Sequence, residues 1–95
     1  MIEVRVKIYS YDVFGEGSII FFVDDNSTVM DVLNKIGEKY GDIYERNFCR
    51  KLLTDFGTYF GIFLDGEYVY SPSFMIQKVE NGDYILILHP ISGGK

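Results

Sequence analysis

Residues 81–95 read NGDYILILHPISGGK and contain a turn, an apolar strand and a glycine-rich ending. Asn81-Gly82-Asp83 has the composition of a tight turn. The following YILILH, residues 84–89, predicts a closing strand that Pro90 terminates, because proline has no N–H to donate to a sheet. The run is apolar on both parities, which is typical of a strand in the middle of a sheet. We expect it to lie beside the first strand.

The first strand is predicted by residues 2–9, IEVRVKIY, in which apolar and polar side chains alternate with period two. Residues 10–17, SYDVFGEG, contain two glycines and predict a loop. Residues 18–24, SIIFFVD, then predict a second strand rich in branched and aromatic residues. The two strands are expected to form a hairpin.

A helix is predicted from about residue 28 to residue 40. Thr28 and Asp31 have the spacing of a capping box, and apolar residues recur at helical intervals until Gly41, a helix stop signal. Residues 42–57 have a weaker helical pattern, so they predict either a short helix or an ordered excursion of the chain.

The second half of the chain predicts a β-hairpin around Asp65-Gly66, a strong turn signal between two apolar runs. Residues 71–77, SPSFMIQ, are interrupted by Pro72 and predict a connection with at most one helical turn. This order of elements predicts an α+β fold in which one main helix packs on one face of a mixed sheet of four to five strands.

Length and charge exclude several classes of function. A chain of 95 residues predicts one domain, and a net charge of -5 with nine scattered Lys and Arg residues argues against nucleic-acid binding. No run is long and apolar enough to predict a membrane span, and the alternating N-terminus does not have the pattern of a signal peptide. Cys49, the single cysteine, cannot form an internal disulfide, and these features together predict a cytoplasmic protein.

The order of elements and the ending ENGDYILILHPISGG resemble the MoaD/ThiS sulfur carriers, a ubiquitin-like β-grasp family, and within it most closely the small subunit of molybdopterin synthase. The resemblance implies a β-grasp domain over residues 1–90 and a C-terminal tail over residues 91–95. The chain departs from the family at His89, where the molybdopterin-type carriers usually have a first proline. It departs again at Lys95, which follows the diglycine.

The resemblance implies a carrier rather than an enzyme. In the family, an adenylating enzyme of the ubiquitin-activating type uses ATP and magnesium to activate the terminal glycine carboxylate, which then becomes a thiocarboxylate. The corresponding carboxylate here is that of Gly94, after removal of Lys95. The implied partners are this adenylating enzyme and a large molybdopterin-synthase-like subunit, another sulfur-accepting enzyme, or target lysines. The residues implied for the tail are Pro90, Ile91, Ser92, Gly93 and Gly94.

The second face of the sheet is a further candidate site. The runs SIIFFV and YILIL are apolar on both parities, so either residues 42–57 cover part of the second face of the sheet or that face is an exposed patch for a partner. For YILIL, a central position in the sheet is a further explanation. The candidates for this patch are Phe22 or Phe21, Phe63, Ile85 and Ile87. Such a patch also fits a β-grasp interaction module whose tail is never activated, and a monomer or weak dimer in isolation.

Cys49 and the other polar residues predict no catalytic centre and no bound cofactor. Cys49 has no histidine near it in sequence and is expected to be a partly buried structural cysteine rather than a nucleophile. His89 is the only histidine, so no histidine cluster exists for zinc or for a catalytic triad.

Overall fold

The computed structural model describes residues 1–9 and 17–88, which form a five-stranded mixed sheet covered on one face by helices. The strand order is β2-β1-β5-β3-β4. The elements are β1 (Ile2–Tyr9), β2 (Ser18–Val23), α1 (Val29–Phe48), α2 (Leu52–Phe56), β3 (Gly61–Leu64), β4 (Glu67–Tyr68), a 3-10 turn (Ser71–Ser73) and β5 (Asp83–Leu88). The predicted α+β architecture is confirmed.

The closing strand β5 lies in the middle of the sheet, as its apolar sequence predicted. It runs parallel to β1 and antiparallel to β3, while β1 and β2 are antiparallel neighbours. Backbone pairing on both sides leaves β5 with no free edge. The last described residue, Leu88, therefore ends at a central position of the sheet and not at its rim.

The helix α1 begins as predicted but does not stop at Gly41. Thr28 accepts from the Asp31 backbone N–H and donates to the Asp31 carboxylate, which also accepts from the Thr28 N–H, so the capping box is complete. The helix continues to Phe48 because its later turns carry Tyr44 into the core, where the side chain is almost fully buried. Packing of this face outweighs the helix-stop preference of one glycine. The predicted end at residue 40 was wrong.

Residues 42–57 contain the end of α1, a break at Cys49 and the short helix α2. Cys49 has a left-handed backbone (φ 57°) and caps α1, its N–H donating to the Glu45 carbonyl. α2 then returns along α1, and its Leu53 side chain lies 3.0 Å from where a Cβ on Gly37 would be. A larger residue at position 37 would therefore require the exposed Leu53 side chain to shift by a few tenths of an ångström. Of the two alternatives for this segment, the helical one is correct.

The hairpin β3–β4 turns at Asp65 and Gly66, both with positive φ (50° and 91°), as a type I′ turn requires. The Asp65 carboxylate also accepts a hydrogen bond of 2.9 Å from the Tyr84 N–H and so fastens the hairpin to β5. The following segment, residues 71–77, is a connection with one short helical turn, the 3-10 turn Ser71–Ser73, as predicted.

Residues 74–77 also accept hydrogen bonds from the first N–H groups of α1. The Phe74 carbonyl accepts from the Met30 N–H at 2.8 Å, and the Gln77 carbonyl accepts from the Val29 N–H at 2.9 Å. The first N–H groups of a helix have no intrahelical acceptor, so these bonds satisfy two of them and fix the connection against the helix.

A single hydrophobic core fills the space between the sheet and the helices. Its residues come from every element except β4 and the 3-10 turn. They are Val4, Val6, Ile8, Phe21, Val23, Val29, Val32, Leu33, Ile36, Tyr44, Leu52, Phe56, Phe60, Ile62, Leu64, Val69, Phe74, Val79, Ile85 and Ile87. No helix within the described residues has both the length and the apolar character needed to cross a membrane.

Candidate functional site: the outer sheet face and the root of the tail

The predicted tail, Pro90 to Gly94 with Lys95 after it, and His89 before it lie outside the described residues. What the structure gives is the point from which the tail continues. Leu88 pairs with Tyr9 on one side and Gly61 on the other, so three strands hold this point of the sheet. The backbone that leads into the tail is thus fixed on both sides by hydrogen-bonded strands.

The face of the sheet opposite the helices is the outer face, and it is rich in apolar side chains. Its members are the outward residues of each strand: Glu3, Arg5, Lys7, Tyr9, Ile20, Phe22, Phe63, Tyr68, Tyr84, Leu86 and Leu88. Phe22 is 53% exposed and Ile20 is 46% exposed. An apolar surface of this kind is a candidate for contact with another protein.

The sheet register arranges these side chains in rows across the strands. One row places Ile20, Arg5 and Tyr84 side by side. The next contains Lys7, Leu86, Phe63 and Tyr68. The Phe63 and Tyr68 rings meet edge to face with centroids 5.4 Å apart, and Tyr68 contacts Tyr70 in the same way at 4.7 Å. The rows therefore form a strip of mainly apolar side chains across the sheet.

Two basic residues lie within this strip, although the chain as a whole is acidic. Among the described residues, 1–9 and 17–88, no ion pair includes Arg5 or Lys7. Lys7 places its ammonium group 4.9 Å from the centre of the Tyr9 ring, a cation–π contact. A partner that binds this face would therefore meet apolar side chains with two positive charges among them, which favours an acidic partner surface.

Of the residues predicted for a partner patch, Phe22 and Phe63 lie on the outer face, whereas Ile85 and Ile87 do not. Both isoleucines point toward α1 and are fully buried. The prediction that they are exposed was wrong, because β5 is apolar on both parities and the side facing the helix is set by its pairing with β1. Phe21, the alternative to Phe22, is also in the core.

The residues of β5 that do face outward are Tyr84, Leu86 and Leu88. A signal for them was present in β1, where Arg5 and Lys7 mark the polar, outward parity. Once β5 is aligned with β1 in parallel, Tyr84 is opposite Arg5 and Leu86 is opposite Lys7. The sequence of β5 alone does not contain this information.

A shallow cavity of about 190 Å³ opens where β2, β1 and the start of β5 meet. It is lined by Glu3, Arg5, Ile20, Gly82, Asp83 and Tyr84. Burial raises the pKa of the Asp83 carboxyl above its usual range, and the nearby Asp65 and Glu80 raise this pKa further. A hydrogen bond of 2.7 Å from the Glu80 N–H acts in the opposite direction.

A second polar cluster lies on the helix side and is buried. Asp55, which is 2% exposed, accepts from the Tyr44 hydroxyl at 2.7 Å and from Arg50 Nε and Nη2 at 2.9 and 3.2 Å. Burial, and then the bond to Asp55, raise the pKa of Tyr44. The Arg50 guanidinium also stacks on Tyr59, 4.1 Å from the ring centre. These contacts link α1, α2 and the start of β3, which is a structural role.

Cys49 is exposed, so the expectation of a partly buried cysteine was wrong. It lies at the left-handed residue that ends α1, in the short connection to α2. Within residues 1–9 and 17–88 no three His, Cys, Asp or Glu side chains are grouped as a metal site would need.

No family model and no curated protein matches this sequence. Solved structures do match. Small archaeal modifier protein 1 from Haloferax volcanii superimposes with a TM-score of 0.72 at 20% identity, over 97% of this chain and 99% of that one. The putative molybdopterin converting factor subunit 1 from Pyrococcus furiosus does so with a TM-score of 0.65 at 14% identity, over 96% and 100%. The chain has a β-grasp fold.

A third β-grasp structure is a complex of subunits 1 and 2 of the molybdopterin-converting factor from Helicobacter pylori. It matches with a TM-score of 0.55 at 16% identity, over 98% of this chain and 100% of the matched one. At these identities the likeness establishes the fold. The resemblance to MoaD/ThiS proteins inferred from the sequence is thereby confirmed at the level of the β-grasp architecture.

Proposed function

We propose that this β-grasp protein is a sulfur carrier or ubiquitin-like modifier that works through the carboxylate of Gly94. A partner of the ubiquitin-activating type would catalyse attack of this carboxylate on the α-phosphorus of ATP with magnesium, forming an acyl-adenylate and releasing pyrophosphate. The terminal sulfur of a persulfide-bearing donor would then attack the acyl carbon and displace AMP, forming an acyl disulfide. A reductant would cleave the S–S bond, leaving the thiocarboxylate and the donor's thiol. The protein is the substrate in both steps and not the catalyst.

The observation that carries the proposal is the position of β5. The motif Pro90-Ile91-Ser92-Gly93-Gly94 follows within two residues of a strand that is paired on both sides in a β-grasp sheet. A rigid root lets an activating enzyme hold the domain while it works on the terminal atoms. Glycine suits the terminal positions because it has no Cβ to obstruct a narrow active-site channel.

The partner that accepts the sulfur is proposed to be a larger subunit that binds the outer face. The Helicobacter pylori structure contains two subunits of a molybdopterin-converting factor. By analogy, the apolar strip with Arg5 and Lys7 would dock on an acidic and apolar surface of such a subunit and bring the tail to its active site. A thiolation enzyme or target lysines are the alternative acceptors.

The test of activation is ATP–pyrophosphate exchange with the activating enzyme of the same organism. Three forms are compared: residues 1–94, the full chain 1–95, and residues 1–94 carrying Leu86→Lys on the outer face. We expect exchange with residues 1–94 and none with residues 1–95, because the Gly94 carbonyl is then an amide. Absence of exchange with residues 1–94 would contradict the proposed function.

Removal of Lys95 is tested separately by intact mass spectrometry of the protein isolated from its own cells. We expect a mass that corresponds to residues 1–94, or to the same chain with one oxygen replaced by sulfur. If every copy retains Lys95, the activated-carboxylate mechanism does not operate in the cell. In the exchange assay, the Leu86→Lys form of residues 1–94 retains the tail, so a loss of exchange with it would show that the activating enzyme also binds the outer face.

A second candidate function is a β-grasp interaction module that acts through its outer face without tail chemistry. The exposed Phe22 and Ile20 favour it, since apolar side chains on the open face of a sheet are typical of binding surfaces. It predicts that partners isolated with the protein bind residues 1–88 as well as the full chain and lose affinity with Leu86→Lys. The carrier hypothesis instead requires residues 89–94.

A further inference from the structure

The two edges of the sheet differ in how well they are protected against pairing with another strand. The edge strand β4 has only two residues, and Pro72 follows in the 3-10 turn. Short edge strands and nearby prolines are common ways to prevent unwanted pairing. The other edge strand, β2, has six residues, SIIFFV, and contains no charge, no proline and no glycine.

β2 is also regular along its whole length. It pairs with β1 through an unbroken register from Ile2 opposite Val23 to Lys7 opposite Ser18, so no bulge bends it away. An edge strand directs every second pair of its backbone N–H and C=O groups away from its neighbour. Among the described residues no strand pairs with this side of β2. An unprotected apolar edge of this kind is a template for another strand.

We propose that the free edge of β2 pairs antiparallel with β2 of a second copy, joining two five-stranded sheets into one. The charges near the two ends of β2 select the direction, and the side chains of β2 select the occupant. Asp24 and Asp25 follow β2 at one end; at the other end Ser18 lies opposite Lys7 of β1, and Glu16 comes two residues earlier in the sequence. Antiparallel pairing places the two aspartates of each copy beside the end of the other copy that contains Lys7. Parallel pairing would bring four carboxylates together, which is unfavourable.

The side chains of β2 are complementary to themselves in this arrangement. With the two-fold axis at Phe21, Ile20 of each copy lies opposite Phe22 of the other on the outer face, an aromatic–branched pair. Ser18 lies opposite Asp24 and offers a hydroxyl donor to its carboxylate. The contact is isologous and therefore closes as a dimer, whereas pairing of β2 with the two-residue β4 of another copy would leave most of β2 unpaired.

The first test is the mass of the protein in solution, measured by sedimentation velocity from micromolar to millimolar concentration in reducing buffer, so that the exposed Cys49 cannot crosslink copies. We expect a dimer whose fraction rises with concentration. Ile20→Lys, which adds a charge to an exposed side chain on the β2 edge, should remain monomeric. Tyr68→Lys is the matched control, because Tyr68 has a similar exposure on the opposite edge and should dimerise as the unmodified chain does.

The second test separates edge pairing from packing of two outer faces. Leu86→Lys changes the middle of the outer face and should leave the dimer intact, and circular dichroism confirms that each variant is folded. Amide hydrogen exchange should slow at alternate residues of β2 as concentration rises, since those N–H groups gain acceptors. The proposal is overturned if the chain is monomeric throughout, or if Leu86→Lys abolishes the dimer and the β2 amides do not slow. Because no test involves the tail, failure here leaves the proposed carrier function untouched.

Discussion

The two faces of the sheet differ most clearly along β5, where neighbouring residues of similar chemistry have opposite environments. Ile85 and Ile87 point to the helices and are fully buried, whereas Leu86 and Leu88 point outward and keep part of their surface in contact with water. The inner side chains therefore contribute to the free energy of folding by burial. The outer ones are available for another protein, which is why apolar residues there indicate function.

Charged groups follow the same division. On the covered side Asp55 is buried and satisfied by Tyr44 and Arg50, because an unpaired buried carboxylate is costly. On the outer face Arg5 is exposed and Lys7 contacts the Tyr9 ring, and among the described residues neither forms an ion pair. Buried charge in this molecule thus has a structural role, whereas exposed charge within an apolar strip sets the kind of surface that can bind.

The largest difference between the faces is expected from shortening one residue on each side of β5. Ile87→Ala should lower the free energy of unfolding by about 3 kcal/mol, since it removes apolar burial and leaves a cavity in the core. Leu86→Ala, its matched control on the outer face, should cost about 1 kcal/mol or less because water fills the space. Urea unfolding followed by circular dichroism measures both, and equal losses would contradict the assignment of the two faces.

The polar group on the covered side is expected to have the next largest effect. Asp55→Ala should destabilise the protein by about 2 kcal/mol, because the buried Tyr44 hydroxyl loses this acceptor. Thr54→Ala changes an exposed neighbour on the same short helix and should stay within about 0.5 kcal/mol of the unmodified chain. Urea unfolding provides the measurement. If the two variants are equally stable, the cluster around Asp55 contributes nothing to the link between α1 and α2.

Local sequence patterns predicted most of the fold because each depends on neighbouring residues. The alternation in residues 2–9 and the turn at Asp65-Gly66 are confirmed, since period-two burial and positive φ leave direct marks in the sequence. The end of α1 was predicted wrongly at Gly41. What extends the helix is the packing of Tyr44 against distant residues such as Phe60, and this contact has no local signature.

The candidate site was predictable only in part for the same reason. The apolar run of β2 predicted an outward aromatic residue but left Phe22 and Phe21 as alternatives, because this strand is apolar on both parities. Ile85 and Ile87 were misplaced because both parities of β5 are apolar, and only the register with β1 decides which one meets the helices. A register is a long-range property, and a shift of one residue exchanges the two faces completely.

The smallest expected effect concerns Asp83, which shares the parity of Ile85 and Ile87 but lies at the start of β5, where burial is incomplete. Its pKa is raised in the folded protein, mainly by burial and then by Asp65 and Glu80, so the folded state holds its proton to higher pH than the unfolded chain does. Where the folded state binds more protons, stability falls as the pH rises. This contribution is present below the ordinary pKa of an aspartate and is lost as the pH rises through the raised value.

Asp83→Asn should remove this loss of stability at higher pH, because the amide does not titrate. The amide oxygen can still accept the hydrogen bond from the Glu80 N–H. We expect the variant to gain stability relative to the unmodified chain as the pH rises from acidic to neutral, with the difference levelling off above the raised pKa. Asp65→Asn should weaken the effect but not abolish it, because burial is the larger cause. Urea unfolding at a series of pH values measures all three forms. A difference that does not change with pH would mean that the start of β5 is as well solvated as the outer face.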